Sequence, residues 1–498
     1  MPADHVLAID QGTTSSRAIL FDASGRAVVT AQRELTQHYP RPGWVEHDPE
    51  EIWQGVLATV REAIATSGVE PSQIAGIGIT NQRETAIVWD RSTGEPIHPA
   101  IVWQDRRTAD VCSRLKGEGA EPIVTARSGL LLDPYFSATK VGWMLDHAPG
   151  ARERAERGEL AFGTIDSFLL WRLTGGAVHA TDLTNASRTS LYDIRQQRWD
   201  PELCRLFRVP EPLLPEVHEN SRVFGVTERG RLDIQLPIAG MAGDQQAALF
   251  GQGCFEAGTA KSTYGTGCFM LLNTGETAVP SNHRLLTTPA FKVAGRTCYA
   301  LEGSIFVAGA AIQWLRDGLG VIAGAAEAEG MAEGIPGSHG VYLVPGFAGL
   351  GAPHWDADAR GAIFGLTLGT TAAHLARAAL EAVAYQSFDL VEAMAVDGGR
   401  PLAALRVDGG MTANDWLCRF LADILQVPVQ RPRNVEATAL GAAFHAGLAT
   451  GVWSGLSNLP VASAEADRFD PQMGAGERES LISGWKDALR RALTTSTY

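Results

Sequence analysis

The sequence predicts a two-lobed α/β fold with a ligand cleft between the lobes, and three observations carry that prediction. Val6 to Phe21 (VLAIDQGTTSSRAILF) reads as a strand, a tight turn and a returning strand, because two apolar, partly β-branched runs flank Gly12, Thr13, Thr14 and Ser15. The second half starts over, since Thr259 to Leu272 (TAKSTYGTGCFMLL) repeats strand, Gly-Thr-Gly turn and returning strand. Leu402 to Trp416 repeats in turn the strand, glycine turn and helix around Asp244, where the strand Leu236 to Gly240 leads through Met241-Ala242-Gly243 into a helix ending near Phe250. The halves share little identity, so the repeat is one of pattern. A duplicated α/β unit whose glycine turns face each other would hold a nucleotide between two lobes.

The first turn would make a cradle for the β- and γ-phosphates of a nucleotide. Glycine lets backbone approach a ligand, and successive turn amides form an anion-binding concavity that Thr and Ser hydroxyls extend. Asp10, at the end of the first strand, fits beside phosphate only with Mg²⁺ and its waters in between. Arg17 on the return strand is a further source of positive charge or faces elsewhere. A plain hairpin with a Thr-rich turn explains these residues equally well on their own.

The chain has 498 residues, of which 45% are hydrophobic. That length is ample for large cores and for about two to four domains. A net charge of −14 disfavours a nucleic-acid or anionic-membrane surface while leaving room for a locally basic pocket. The six cysteines, at positions 112, 204, 254, 268, 298 and 418, show no metal-ligand spacing and read as thiols of a reducing compartment. MPADHVLAID enters a strand without a signal-like n-region, and no apolar run is long enough to span a bilayer. A cytoplasmic protein without membrane insertion is expected.

His47-Asp48-Pro49-Glu50-Glu51 marks a helix start, and Ile52, Trp53, Val56, Leu57, Val60 and Ile64 then repeat at helical spacing. Strands at Ile74 to Thr80 and Thr85 to Trp89 flank Asn81-Gln82-Arg83-Glu84, which on its own is also readable as a solvated loop. Trp103 sits among polar residues, and Asp133-Pro134-Tyr135-Phe136 precedes a helix with Lys140, Trp143 and Leu145. Aromatics beside strand-end polar groups suit a small polyol, whose C–H faces need apolar walls and whose hydroxyls need paired donors and acceptors. A short helix reaches Leu173, and Thr181 to Ser187 is a polar cluster with turn chemistry. Asp244 stands where open α/β sheets place chemistry, at a strand's carboxyl end, and is equally a helix cap. Gly409-Gly410 would let backbone approach a base or phosphate, with Asn414 one turn into the next helix. Helices are further expected at His374–Met394, Thr438–Leu448 and Glu477–Leu493.

Eleven segments together, among them DQGTTSSRA, GITNQRET, AIVWQDRRTA, DPYFSATKVGWMLDH, AGDQQAALFGQ, STYGTGCFML and RVDGGMTAND, resemble the FGGY family of sugar kinases from about Leu7 to Leu448. ITNQRE and DPYFS point to its glycerol branch. The resemblance implies two actin- and hexokinase-like (ribonuclease H-like) α/β domains closing on ATP·Mg²⁺ and glycerol, to give ADP and sn-glycerol 3-phosphate. It places most of the glycerol site and the first phosphate loop in residues 1–252, and most of the nucleotide site in 253–498. Position by position, Arg83, Glu84, Tyr135, Asp244 and Gln245 match residues holding glycerol's hydroxyls, while Trp103 and Phe269 match its carbon-side walls. Thr13, Thr14, Ser15 and Arg17 match the first phosphate loop, and Thr266, Gly309, Gln313, Gly410 and Asn414 match nucleotide contacts. Asp10 and Asp244 would stand near the metal and the transferred phosphoryl, with Asp244 as base and Asp10 and Arg17 also catalytic. Homodimers or homotetramers are common in the family. Thr227 to Asp233 lacks the glycine run with which some members bind fructose 1,6-bisphosphate, and Ser221 to Asp233 holds no histidine for the phosphorylation seen in others. Gln472 to Ser483 likewise departs from the segment that binds a sugar-transport regulator. The competing readings are a nucleotide-switched protein on the same fold and a kinase of another polyol or ketose.

Overall fold

The structure, a computed structural model, describes residues 3–232, 234–356, 358–432, 436–461 and 466–494. Among these, two large sheets organise the chain. The first contains β1 (His5–Gln11), β2 (Ser15–Phe21), β3 (Ala27–Glu34), β4 (Ile74–Asn81), β5 (Ser221–Val226) and β6 (Pro237–Gly243), in the order β5-β6-β4-β1-β2-β3. The second contains β7 (Thr259–Tyr264), β8 (Cys268–Gly275), β9 (Leu286–Val293), β10 (Arg296–Ile305), β11 (Ala404–Asp408), β12 (Val429–Pro432) and β13 (Ala466–Phe469), in the order β9-β10-β8-β7-β11-β12-β13.

The predicted repeat is visible in this topology. Strand β1 runs antiparallel to β2 and parallel to β4, and β7 runs antiparallel to β8 and parallel to β11. Sheet order also corrects the pairing read from sequence. The counterpart of β11 is β4, next to the hairpin, and the strand leading to Asp244, β6, corresponds to β12. Strand, glycine turn and helix is a local pattern that recurs at several strands, so it does not specify which neighbour a strand takes.

The helices that bear on the site are α1 (Pro49–Thr66), α2 (Ser137–His147), α3 (Ile165–Leu173), α4 (Leu183–Ser187), α5 (Asp244–Gly251), α6 (Gly309–Asp317), α7 (Ala372–Gly398), α8 (Asp415–Leu425), α9 (Ala437–Thr450) and α10 (Ala475–Ala492). Helix α1 begins as expected, with Asp48 accepting from the Glu50 amide at 2.8 Å, Pro49 in the first turn and Ile52, Trp53, Val56 and Val60 buried. Two expectations change. Strand β6 continues through Gly243 because Met241, Ala242 and Gly243 pair with Ile79, Thr80 and Asn81 of β4. The cluster Thr181 to Ser187 is a strand end followed by α4, whose first amides Asp182 caps, rather than a turn.

Helix α9 comes from the second half of the chain, yet it packs on the first sheet against β4, β6 and α5. Glycines make this possible. A Cβ on Gly78 of β4 would stand 2.1 Å from the Ala442 carbonyl oxygen, and one on Gly240 of β6 would stand 2.4 Å from the Ala446 nitrogen. Between the two helices, a Cβ on Gly441 would lie 1.9 Å from the Ala247 oxygen. Backbone against backbone leaves no flexible atom to yield, so Gly78→Ala is expected to cost about 1–3 kcal/mol by overpacking. A thermal melt reads this as a lowered Tm, and an unchanged melt would contradict it.

Candidate active site

The β1–β2 turn forms the first part of the site. The Gly12 amide donates to the Ser15 carbonyl at 2.9 Å, closing the loop. Asp10 and Arg17 are register partners on the hairpin, and the Arg17 guanidinium turns back to donate to the Asp10 carboxylate. Its other arm donates to Glu436 Oε2 at 2.6 Å, just ahead of α9. Burial pushes the Asp10 carboxyl up from its ordinary value, and Arg17 opposes that rise. A cavity of 290 Å³ opens here, lined by Asp10, Gly12, Thr14, Ser15 and Arg17 from the hairpin and by Asp244 and Gln245 from α5. Thr13 has a different neighbour, its Oγ1 accepting from Trp103 Nε1 at 2.9 Å. The loop is thereby tied to the aromatic wall.

A second cavity, of 480 Å³, lies in the other lobe, and Thr266, Gly309, Gln313, Gly410 and Asn414 all line it. Ile312, Leu380 and Met411 give it apolar surface, so it offers broad apolar walls with a few polar groups. The Thr266 carbonyl accepts from the Ala308 and Ala310 amides at 2.9 and 3.1 Å, which fixes the β7–β8 turn to the start of α6. Gly409 has φ +93°, and a Cβ there would stand 2.4 Å from the Tyr264 oxygen, so this turn requires glycine. Asn414 is the cap of α8, accepting from the Leu417 amide at 2.8 Å, and not a residue one turn into it.

Arg83 and Glu84 follow β4, and both are buried rather than in a solvated loop. Glu84 has φ +62°, a conformation uncommon for a non-glycine residue and held here by its neighbours. Trp103 stands edge-on to Tyr135 at 5.6 Å and to Phe269 at 6.3 Å between ring centroids, so the second lobe's β8 completes the aromatic wall. Arg83 Nη1 donates to Glu302 Oε2 at 2.6 Å and to Gln246 Oε1 at 3.2 Å. Its Nη2 donates to Glu302 Oε1 at 3.0 Å and to Tyr135 Oη at 3.3 Å. Its Nε edge lies 3.3 Å from Asp244 Oδ1 and 3.6 Å from Glu84 Oε1. Most of the Arg83 donors are therefore spent inside the protein, and the Nε edge is the one left between two carboxylates.

Asp244 is the first residue of α5, and the cap position belongs to Gly243. Its Oδ1 accepts from the Gln245 amide at 2.7 Å, and its side chain keeps 30% exposure toward the cleft. Burial raises its pKa, while Arg83 and Lys261 pull the other way. Gln245 is oriented by Lys261, whose ammonium donates to Gln245 Oε1.

Three buried charges in this cluster had not been singled out from sequence: Glu302 on β10, Lys261 on β7 and Arg188 after α4. Arg188 donates to Glu84 at 2.7 Å and to Glu302 at 2.9 Å. Against burial, Arg188 and Arg83 hold the Glu302 carboxyl down to about 2. A usable signal existed, since an acid inside the apolar strand YALEGSI must be paired if it is buried.

A phosphate-sized loop, a larger cavity in a second lobe and a cluster of buried polar and aromatic side chains beside an acid define a two-domain carbohydrate kinase. The chain belongs to the FGGY family of carbohydrate kinases, whose N-terminal domain model matches residues 5–251 and whose C-terminal domain model matches residues 260–450. It is 60% identical over 486 residues to a glycerol kinase of Rhodospirillum centenum, covering 98% of this chain and 97% of that one. It is 59% identical to a glycerol kinase of Gluconobacter oxydans, covering 99% and 96%. Among solved structures it is similar to Plasmodium falciparum glycerol kinase with ADP, with a TM-score of 0.94, 37% identity and 99% of each chain covered. The α/β two-domain kinase fold and the enzyme class expected from sequence both stand.

Proposed function

We infer that this chain transfers the terminal phosphoryl group of ATP to glycerol, giving ADP and sn-glycerol 3-phosphate, the opening step of glycerol catabolism. The observation that carries the reading is the convergence of Arg83, Glu84, Asp244 and Gln245 with Trp103, Tyr135 and Phe269, with Asp244 and Gln245 also lining the phosphate-loop cavity. A nucleotide-switched protein has no need of such a set of polyol-matched side chains.

In this reading the adenosine end of ATP occupies the cavity of Thr266, Gly309, Gln313, Gly410 and Asn414, and its outer phosphates reach Thr13, Thr14, Ser15 and Arg17. Glycerol places its C–H faces on the aromatic wall and its hydroxyls among the polar groups. Asp244 accepts the proton of the attacking hydroxyl while the aligned groups neutralise charge in a loose transition state.

Among the described residues no group of three or more His, Cys, Asp or Glu forms a metal cage. Asp10 and Asp244 nonetheless line one cavity, and the charge of Asp10 acts on Asp244. Two carboxylates with room for phosphate oxygens and waters fit a Mg²⁺ ion, which dehydrates reluctantly and takes few protein ligands. These two residues would hold it, and it would supply neutralisation of the phosphate charge.

The domain division at 252/253 is proposed with α9 as a return of the second half onto the first sheet, residues 462–465 and 495–498 lying outside the described residues. A cytoplasmic location is supported by six buried free cysteines. No described helix is long and apolar enough to cross a membrane. Assembly as a homodimer or homotetramer is the family expectation.

Fructose 1,6-bisphosphate is expected to inhibit weakly or not at all. Arg229 donates to Gln235 and Arg231 to Glu228, so the two bases of this loop are engaged locally. A bisphosphate needs several donors converging on each phosphate. Asp233, in the same loop, lies outside the described residues. Strong inhibition with a change of oligomeric state would contradict this.

Activity is tested by coupled ADP release over glycerol, dihydroxyacetone, erythritol and pentuloses. The expected result is a marked preference for glycerol. ATP turnover indifferent to every polyol would favour the switch, and a pentulose preference would favour a relative with another substrate.

A further inference from the structure

We propose that Glu302 is a positioning residue through which the second lobe sets the hydrogen-bonding direction of the glycerol pocket. The proposal rests on the glycerol-kinase reading above. Arg83 and Glu84, which hold glycerol in that reading, come from the first lobe, yet the carboxylate that grips Arg83 comes from β10 of the second, 219 positions away in sequence. The grip is bidentate, at 2.6 and 3.0 Å, onto the Nη1 and Nη2 edge. Fork-on-fork pairing fixes the plane of a guanidinium as a single contact cannot.

The plane so fixed decides which edge Arg83 can offer. With Nη1 and Nη2 committed to Glu302, Gln246 and Tyr135, the Nε edge is presented between Asp244 and Glu84. Arg188 completes the arrangement from behind, joining Glu84 and Glu302 with its guanidinium 5.3 Å over the Phe136 ring. Two arginines and two glutamates thus form a neutral buried square. In the glycerol-kinase reading Arg83 and Glu84 are its substrate side, and Glu302 and Arg188 are its back. Neither of the back residues lines the phosphate-loop or nucleotide cavity. Glycerol recognition therefore depends on contact between the lobes, while nucleotide contacts do not depend on Glu302.

The test is steady-state kinetics of the full-length Glu302→Gln enzyme alongside wild type, with glycerol and ATP each varied and a thermal melt on the same samples. Gln keeps the shape but offers one acceptor oxygen, so Arg83 loses its fork. Glycerol KM is expected to rise about tenfold or more, with ATP KM within about twofold of wild type, because a lost charge-assisted hydrogen bond is the interaction removed. An unmoved glycerol KM in a folded variant would overturn the assignment, as would glycerol and ATP KM rising together. A purely structural role would lower the melting temperature without this split. Should Glu302→Gln not fold, Glu302→Asp keeps the charge one methylene short and is judged by the same split. Wild-type turnover is measured in the same series. Its absence would strike the glycerol reading, whereas an unmoved KM strikes only Glu302.

Discussion

Asp244→Asn is expected to lower kcat by about 10²- to 10⁴-fold while the protein stays folded, the range typical of general-base removal. Asparagine keeps an oxygen to accept from the Gln245 amide, the local contact Asp244 makes at 2.7 Å, and Gly243 holds the helix-cap position. Little in the start of α5 should change. What is lost is the ability to take a proton, along with a negative charge facing the cavity. A role confined to the helix end would instead cost about 1 kcal/mol of stability or less and leave kcat alone. The wild-type pH profile offers a companion check. Burial raises the Asp244 pKa above its ordinary 3.8 despite Arg83 and Lys261, and the base works only when deprotonated. Activity should therefore fail on acidification while an ordinary aspartate would still be ionised. Near-normal kcat in Asp244→Asn would remove the residue from the mechanism.

Arg83→Ala should damage both binding and folding. Arg83 is 2% exposed, with Glu302, Glu84 and Asp244 on its guanidinium. Removing it leaves Glu84 and Glu302 with Arg188 as their remaining arginine and Asp244 with Lys261, and breaking a buried ion pair from one side costs about 3–5 kcal/mol. A clearly lowered Tm is expected, together with a steep rise in glycerol KM. ATP KM should move little, since Arg83 lines neither the 480 Å³ nor the 290 Å³ cavity. Equal loss of both substrates in a variant that still melts cooperatively would move Arg83 to the phosphate site.

The opening hairpin, α1 and the second hairpin were legible because their signals are local. Alternating apolar runs, a glycine turn and Asp48-Pro49 each act within a few residues. The front of the site was not legible in that way: Arg83 and Glu84 alone read also as a solvated loop and Asp244 as a helix cap, and only the resemblance of whole motifs set them in a glycerol site. What lay hidden depends on distant pairing. Nothing next to Lys261 shows that its ammonium meets Gln245 on the other lobe, and nothing next to Thr13 shows that its hydroxyl accepts from Trp103. The placement of α9 on the first sheet was hidden for a related reason. Its fit comes from Gly78 and Gly240 on strands far earlier in the chain, where a lone glycine reads as a weakness in a strand and not as a groove.

Product analysis addresses the chemistry most directly. Glycerol carries two mirror-related terminal hydroxyls, and the proposed fit between Arg83, Glu84, the Trp103 wall and Asp244 would present only one of them to the phosphoryl group. Incubating the protein with ATP, Mg²⁺ and glycerol, then following phosphorus NMR, should show one new phosphate monoester appearing in step with ADP. A dehydrogenase specific for sn-glycerol 3-phosphate should consume that ester completely. Half consumption, denoting a racemic product, would contradict the proposed fit, and ADP release with free phosphate but no ester would contradict phosphoryl transfer to glycerol altogether.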